Sequence, residues 1–145
     1  MLEEQMIDFS LYQIDEEAEQ KSKEKYINFF YLMDFWMKAL EEGKKVSSFF
    51  VNNQYHNIAI YGLGFLGKHL KVQLENNNFS ITYTIDKNII EYNNFRYDLG
   101  KDIDNIPKAD VIVVTPITEY ISIKEKLEKL TDSQIVSLEE VILSL

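Results

Sequence analysis

Three glycines, Gly62, Gly64 and Gly67, have the spacing GxGxxG directly after the apolar run IAIY and at the start of a segment with helical character. Each glycine of this pattern has a separate physical task. The first allows a tight turn out of a strand, the second lets the backbone approach a pyrophosphate, and the third lets the following helix lie close to the sheet. The pattern therefore predicts a turn that binds the phosphates of a nucleotide.

The hydrogen bonds to such a phosphate would come from backbone amides at the start of the following helix, where the helix dipole is positive. These amides belong to Leu63, Gly64, Phe65 and Leu66. Asp86 follows where the second strand is predicted to end, and a carboxylate at this place accepts hydrogen bonds from ribose hydroxyls. Thr115, at the end of a later apolar run, is the remaining candidate for contact with a ribose or a substrate.

The charge of Asp86 favours NAD, or another nucleotide with free ribose hydroxyls, because it would repel the 2′-phosphate of NADP. S-adenosylmethionine fits less well, since Leu66 stands where its binding motif usually has a further glycine. The alternative is that the glycines serve only strand-to-helix packing. Asp86 would then only begin a turn with Lys87 and Asn88.

The sequence shows no set of residues near the glycine motif with the spacing of a known catalytic site. His56 and His69 have no carboxylate at triad or ligand spacing, so we predict no metal site and leave the catalytic residues unassigned. Tyr120 and Lys124 match the YxxxK spacing of short-chain dehydrogenases. They open the helix directly after the fourth predicted strand, whereas that family carries the pair on a later helix.

The elements around the motif are strands that alternate with helices. Strands are predicted at IAIY, at ITYTI, weakly near residues 95–98, at DVIVV and at IVSL, with helices from the glycines to about residue 76 and over 119–130. Apolar runs joined by crossover helices indicate a buried parallel sheet. We therefore predict an α/β fold in which residues 57–145 form a five-stranded parallel Rossmann-like sheet of order 3-2-1-4-5.

Residues 1–56 are predicted to form an N-terminal helical extension. One long helix is expected over roughly residues 15–42, ended by Gly43. It carries the aromatic cluster Phe29, Phe30, Tyr31, Phe35 and Trp36. Such a cluster is more often protein core or a dimer interface than a platform for sugar stacking, so a homodimer through this helix is one expectation.

Composition narrows the class of protein. The 145 residues carry a formal net charge of −9, from 24 acids and 15 bases, which disfavours nucleic acid as a partner. The sequence has no cysteine, which excludes thiolate chemistry and fits a reducing compartment. Its most apolar segment, YINFFYLMDFWMKAL, contains Asn28, Asp34 and Lys38 and is too short to cross a bilayer. We expect a cytoplasmic protein without membrane insertion.

The runs IAIYGLGFLGKHLKVQLENNNFSITYTIDKN, DVIVVTP and IVSLEEVI together resemble the small Rossmann-like nucleotide-sugar domains of bacterial surface-polysaccharide biosynthesis, such as the N-terminal domain of sugar acyltransferases. The resemblance covers about residues 57–145. It implies a UDP-sugar contacted by Gly62, Gly64 and Asp86. The acyltransferases continue into hexapeptide repeats with a catalytic histidine, which this sequence lacks, so the resemblance implies a stand-alone binding module.

Three functional hypotheses follow. The first is a module that binds a nucleotide or nucleotide-sugar as an accessory to surface-polysaccharide synthesis, with a glycosyltransferase as its partner. The second is a small NAD-dependent oxidoreductase. The third is a protein-interaction scaffold with a vestigial pocket. The binding module and the oxidoreductase differ in the ligand that they predict, and the scaffold hypothesis predicts no ligand.

Overall fold

The structure of this chain is a computed structural model, and it describes residues 16–145. Its first element is helix α1, Glu16–Glu41. The predicted long helix is confirmed over this range, while the predicted start at Asp15 lies outside the described residues. The chain divides into two units between Met33 and Asp34, and the second unit contains the sheet. The domain boundary predicted at residue 57 stays a prediction.

Gly43 ends helix α1, as predicted. It adopts a positive φ of 81°, a conformation that is strained for residues with a side chain. Its N–H donates to the carbonyl of Leu40, and the next N–H, that of Lys44, donates to the carbonyl of Ala39, both at 3.0 Å. These two bonds satisfy carbonyls that would otherwise lack partners at the helix end.

Helices and strands alternate through most of the second unit. In chain order they are α2 (Ser47–Asn52), β1 (Ile58–Tyr61), α3 (Phe65–Asn76), β2 (Ile81–Asp86), β3 (Ile89–Tyr92), β4 (Phe95–Asp98), β5 (Val111–Val114), a 3-10 turn (Ile117–Glu119), α4 (Tyr120–Glu128), β6 (Gln134–Ser137) and α5 (Leu138–Leu143). Strands β1, β2, β5 and β6 and helices α3 and α4 fall where the sequence pattern predicts them. Strand β3 and helix α5 were not predicted.

The strands form one six-stranded mixed sheet of order β4-β3-β2-β1-β5-β6. Strands β2, β1, β5 and β6 run parallel to one another. Strand β3 pairs antiparallel with β2, and β4 pairs antiparallel with β3. The predicted five-stranded parallel sheet of order 3-2-1-4-5 is therefore wrong. The position expected for a third parallel strand is occupied by an antiparallel extension.

Two tight turns are the physical reason for this difference. Lys87 and Asn88 join β2 to β3 with φ values of 50° and 63°, and Asn93 and Asn94 join β3 to β4 with 52° and 67°. Positive φ at both central residues is typical of type I′ hairpin turns. A two-residue connection can join only antiparallel strands, since a parallel pair needs a crossover of about a dozen residues.

Apolar side chains cover both faces of the parallel part of the sheet. On one face, strand residues pack in a single cluster with two residues of α4; its buried members are Ala59, Tyr83, Ile85, Ile90, Ile106, Ala109, Ile112, Val114, Ile123, Leu127 and Ile135. Successive strand residues point to opposite faces. Ile58 and Ile60, also buried, therefore face the other side, where α3 contacts β1 and β2.

Candidate phosphate-binding site

The carboxyl ends of the parallel strands bring the predicted site residues to one edge of the sheet. Tyr61, the last residue of β1, lies beside Ile85 of β2 and Val114 of β5. The residues that follow these three positions are Gly62, Asp86 and Thr115. Ligands of open α/β sheets bind at this kind of edge. The structure thus collects the glycine turn, defined as residues 62–67, with the predicted carboxylate and threonine.

Gly62 occupies a position that requires glycine. Its φ is +93°, and a Cβ atom there would lie 2.7 Å from Thr115 Oγ1 and 2.9 Å from Pro116 Cδ. Its N–H donates to the carbonyl of Ile85 at 2.8 Å, which ties the turn to strand β2. The first glycine therefore makes the tight exit from β1, as the motif predicts.

Gly67 lets helix α3 pass close to the turn. A Cβ atom at this position would overlap the carbonyl oxygen of Gly62, lie 2.9 Å from its carbonyl carbon and lie 3.0 Å from Thr115 Oγ1. Backbone atoms cannot move aside as a flexible side chain can. The third glycine of the motif is therefore a packing requirement, also as predicted.

Thr115 supports the turn from within the protein. The residue is buried, and its hydroxyl donates towards the carbonyl oxygens of Gly62 at 2.8 Å and Tyr61 at 3.0 Å. Its N–H also donates to the Tyr61 carbonyl at 3.0 Å. These bonds use the hydroxyl hydrogen inside the protein. The predicted contact between Thr115 and a ligand stays a prediction, and the observed bonds give this residue a positioning role.

Gly64 differs from the other two glycines because it faces open space. It is exposed, its φ of −72° is allowed for any residue, and no described atom beyond Gly64 and its two chain neighbours lies within 4 Å of a Cβ placed there. It is the N-cap residue of α3, yet no side chain among residues 16–145 caps this helix, and no acidic residue lies in its first turn. The space above the turn is therefore open to a ligand.

The amides of the first helical turn have no partner along the helix. The first bond of the α-helical type is that from Lys68 N–H to the Gly64 carbonyl, at 3.0 Å. The amides of Phe65 and Leu66, which precede it, are among those that a helix leaves unpaired at its N-terminus. Together with the positive end of the helix dipole, they form an arrangement suited to a phosphate or another anion.

The side chains on the turn point to different environments. Leu66 is buried and Leu63 is half-buried, so both contribute packing in addition to their amides. Phe65 is 88% exposed. The glycine motif predicts a role only for the backbone amide of Phe65. Its exposed ring, at the start of α3, also offers a flat apolar surface against which a nucleobase could stack. The sequence position alone carries no signal for this exposure.

Asp86 is exposed at the end of β2, where it also begins the turn to β3. It lines a cleft of about 180 Å³ together with Leu63, Thr84, Lys87, Ile89, Glu91 and Arg96. Pockets for whole small molecules measure about 300–1,000 Å³. The cleft therefore has room for a fragment such as a ribose, with the rest of a nucleotide lying outside it.

Arg96, the one arginine of the sequence, was not among the predicted site residues. It reaches the cleft because Thr84, Glu91 and Arg96 lie directly opposite one another on β2, β3 and β4. Its Nε lies 3.6 Å from Glu91 Oε1 across the hairpin, an exposed ion pair. Only the antiparallel pairing brings it here, so the predicted parallel order could not have found it.

Charges of both signs lie at the edge of the sheet near Asp86, because Lys87 and Arg96 line the cleft together with Asp86 and Glu91. The pKa of the half-buried Tyr61 phenol is raised, first by burial and then by the negative charges of Glu119 and Asp86. Two carboxylates therefore act on the same end of β1. Asp86 is the carboxylate of the cleft that can accept hydrogen bonds from ligand hydroxyls.

The remaining candidates for chemistry lie outside this arrangement. The N–H of His56 donates to Asp110 Oδ2 at 2.8 Å, before the start of β1, and the ring of the exposed His69 contacts the edge of Trp36. Tyr120 donates its hydroxyl hydrogen to the Ile135 carbonyl at 3.2 Å. Within residues 16–145, no group of three or more His, Cys, Asp or Glu side chains is arranged to hold a metal ion.

Comparison with known protein families, with curated proteins and with solved structures finds no match to this chain. In the part of the chain that the structure describes, none of the helices has the length and apolar character needed to cross a membrane.

Proposed function

We propose that the protein binds a nucleotide or nucleotide-sugar with its phosphates on the glycine turn. One observation carries the proposal: the N-terminus of α3 at Gly64 is open and has no side-chain cap among the described residues. A helix end left in this state has unpaired amides and the positive end of a dipole, which together attract a phosphate. The tight packing of Gly62 and Gly67 holds those amides in place before any ligand arrives.

The proposed ligand extends from the turn to the neighbouring cleft. The amides of residues 63–66 bind phosphate oxygens, and a ribose enters the cleft where Asp86 accepts hydrogen bonds from its hydroxyls. NAD and a UDP-sugar both satisfy this arrangement. NADP fits less well because the charge of Asp86 repels its 2′-phosphate, although Arg96 of the same cleft is a cation that can pair with that group.

The biological role in this proposal is that of a cytoplasmic accessory to bacterial surface-polysaccharide synthesis, with a glycosyltransferase as partner. This part is supported by the sequence resemblance alone. Nucleic acid is not a proposed partner, because a chain with a net charge of −9 repels it.

A thermal-shift panel tests the proposal with NAD, NADH, NADP, UDP and UDP-N-acetylglucosamine. A ligand at about 100 times its dissociation constant adds about 2.7 kcal/mol, which raises the unfolding midpoint by several degrees. We expect UDP compounds or NAD to produce this shift and NADP to produce less. A flat panel for a folded sample would reject nucleotide binding.

Two variants locate the binding. Gly64→Val places a branched side chain in the open space over the amides, so it should fold with a slightly lowered midpoint, because the N-cap preference is lost, and lose the ligand-induced shift. Asp86→Asn should weaken the response to ligands with ribose hydroxyls, whereas Asp104→Asn, an exposed acid away from the cleft, should not. A shift that survives in Gly64→Val would place the ligand elsewhere.

A further inference from the structure

Helix α1 carries apolar side chains on two opposite faces. On one face, Leu32, Trp36 and Ala39 are buried, at the i, i+4, i+7 spacing of a single helical stripe. The opposite face carries exposed residues at alternating spacings of four and three. We call this row the outer seam; its members are Glu16, Gln20, Lys23, Ile27, Phe30, Asp34, Met37 and Glu41.

The centre of the outer seam is apolar although it is exposed. Ile27 is 51% exposed, Phe30 67% and Met37 51%. Tyr26 and Tyr31, also exposed, flank the seam and enlarge the apolar surface. A contiguous apolar surface on a protein marks an interaction site, and alternating spacings of four and three are the pattern by which one helix packs along another.

We propose that helix α1 pairs through the outer seam with the same helix of a second copy of the chain, in antiparallel orientation. Ile27 of each copy then faces Phe30 of the other at the centre, and Lys23 faces Asp34 in the adjoining layers. Gln20 faces Met37 beyond them. A two-fold axis repeats each layer, as in most homodimers.

Charge complementarity within the seam supports a second copy as the occupant. In the antiparallel pair, every Lys23 meets an Asp34, and the same register brings Ile27 and Phe30 together while Met37 meets Gln20. In a parallel pair, Lys23 would meet Lys23 and Asp34 would meet Asp34, and both contacts are repulsive. The pairing leaves one unfavourable layer, Glu16 against Glu41, and this layer lies at the solvated ends of the seam.

Lys23 and Asp34 form only weak ion pairs within their own helix, so both can pair with a second copy instead. Lys23 now forms an ion pair with Glu19 at 3.4 Å, and Asp34 forms one with Lys38 at 2.9 Å, each within one helix and exposed. Exposed pairs of this kind contribute little to stability, because water screens the two charges and both side chains lose freedom. Little free energy is therefore lost when Lys23 and Asp34 turn towards the second copy, where they set orientation and register.

Cysteine cross-linking tests the orientation directly, because the sequence contains no cysteine. Lys23→Cys and Asp34→Cys proteins, mixed and oxidised, should give disulfide dimers of one variant with the other. Neither variant alone should cross-link, since two copies of residue 23 lie about 16 Å apart along an antiparallel pair. Cross-links within each variant alone, with none between the two, would overturn the proposed orientation.

Analytical ultracentrifugation of the full chain tests the dimer itself. We expect a dimer for the wild type, a dimerisation weakened about tenfold or more by Phe30→Asp, and no change for Ile121→Asp, which alters an equally exposed apolar residue on α4. A wild-type chain that stays monomeric would overturn the proposal. Neither measurement depends on the proposed nucleotide site.

Discussion

The carbonyl group of Gly62 occupies the space in which a side chain at Gly67 would begin. A Cβ atom at position 67 would overlap the carbonyl oxygen and lie 2.9 Å from the carbonyl carbon. Gly64 lies between them in the same motif, and no described atom beyond its own residue and its two chain neighbours lies within 4 Å of its Cβ position. The first and third glycines are thus required by packing, while the second leaves room that the fold itself does not use.

Alanine substitution should lower the free energy of unfolding far more at Gly67 than at Gly64. Gly67→Ala should lower the free energy of unfolding by about 3 kcal/mol or more, because the new methyl group overlaps the backbone and cannot be relieved by a rotamer change. Gly64→Ala should cost less than about 1 kcal/mol, since its φ is allowed and only the N-cap preference is lost. Urea unfolding followed by circular dichroism measures both, and equal losses would contradict this division.

Thr115 should matter through its hydroxyl. Thr115→Val keeps the shape but leaves the buried carbonyl of Gly62 without this donor, so we expect a loss of about 1–3 kcal/mol in unfolding free energy. Thr115→Ser retains the donor and should lose less. Amide hydrogen exchange across residues 62–67 should accelerate in the valine variant only. Unchanged exchange there would remove the positioning role of Thr115.

The buried Tyr83 and the half-buried Tyr120 should respond in opposite directions to loss of the hydroxyl. The Tyr83 hydroxyl is buried and has no hydrogen-bond partner among the described residues, whereas that of Tyr120 donates to the Ile135 carbonyl. Tyr83→Phe should raise the free energy of unfolding by about 1 kcal/mol, and Tyr120→Phe should lower it by about the same amount. Chemical denaturation at neutral pH measures both changes.

Tyr83 should also contribute to alkaline unfolding. Burial raises the pKa of its phenol, so above pH 10 the unfolded chain loses this proton more readily than the folded chain. The contribution is fully present below the ordinary pKa of 10.0 and is lost as the pH rises beyond it. Tyr83→Phe should therefore unfold less steeply with alkali than the wild type, and parallel pH profiles would contradict this assignment.

Asp110 should contribute to the loss of stability at acidic pH. The backbone amides of Asn57 and His56 donate to its Oδ2, and these two hydrogen bonds lower the pKa of the carboxyl below its ordinary value of 3.8. A lowered folded-state pKa stabilises the protein above the ordinary value, and this stabilisation disappears as the pH falls through the folded-state pKa.

Asp110→Asn should therefore be less stable than the wild type at neutral pH, with a difference that narrows below pH 3.8. Thermal unfolding of both proteins across a series of acidic buffers measures the difference. Asp104→Asn serves as the control, and its midpoint should follow the wild type at every pH. A difference between Asp110→Asn and the wild type that persists unchanged in acid would disprove the proposed hydrogen-bond origin.

The parallel part of the fold was predictable because its signals are local. The run IAIY before Gly62 and the run VIVV before Thr115 are short and apolar, and helical segments follow both. The hairpins were missed because the sequence pattern predicts no strand between ITYTI and residues 95–98, where β3 lies between the turns Lys87-Asn88 and Asn93-Asn94. Two residues between segments rich in β-formers, with asparagine able to adopt positive φ, are a signal of antiparallel pairing.

The position of the candidate site was predictable from the sequence, but the surroundings of its residues were not. The spacing of Gly62, Gly64 and Gly67 located the turn, but it could not show that the three glycines have unequal surroundings. Arg96 reaches the cleft only through the register of β2, β3 and β4, which depends on the hairpins. The inward hydroxyl of Thr115 depends on how β1 and β5 lie together. These features arise from long-range packing, which no local pattern encodes.

Nuclear magnetic resonance can observe the amides of the glycine turn one by one, and so can show whether a phosphate binds there. A ¹⁵N-labelled sample is titrated with UDP, UDP-N-acetylglucosamine and NAD in separate experiments. The account predicts that the largest saturable amide shifts occur at Leu63, Gly64, Phe65 and Leu66, and that Gly64→Val abolishes them. Saturable shifts confined to other parts of the chain, or none with any of the three ligands, would contradict a phosphate site on the glycine turn.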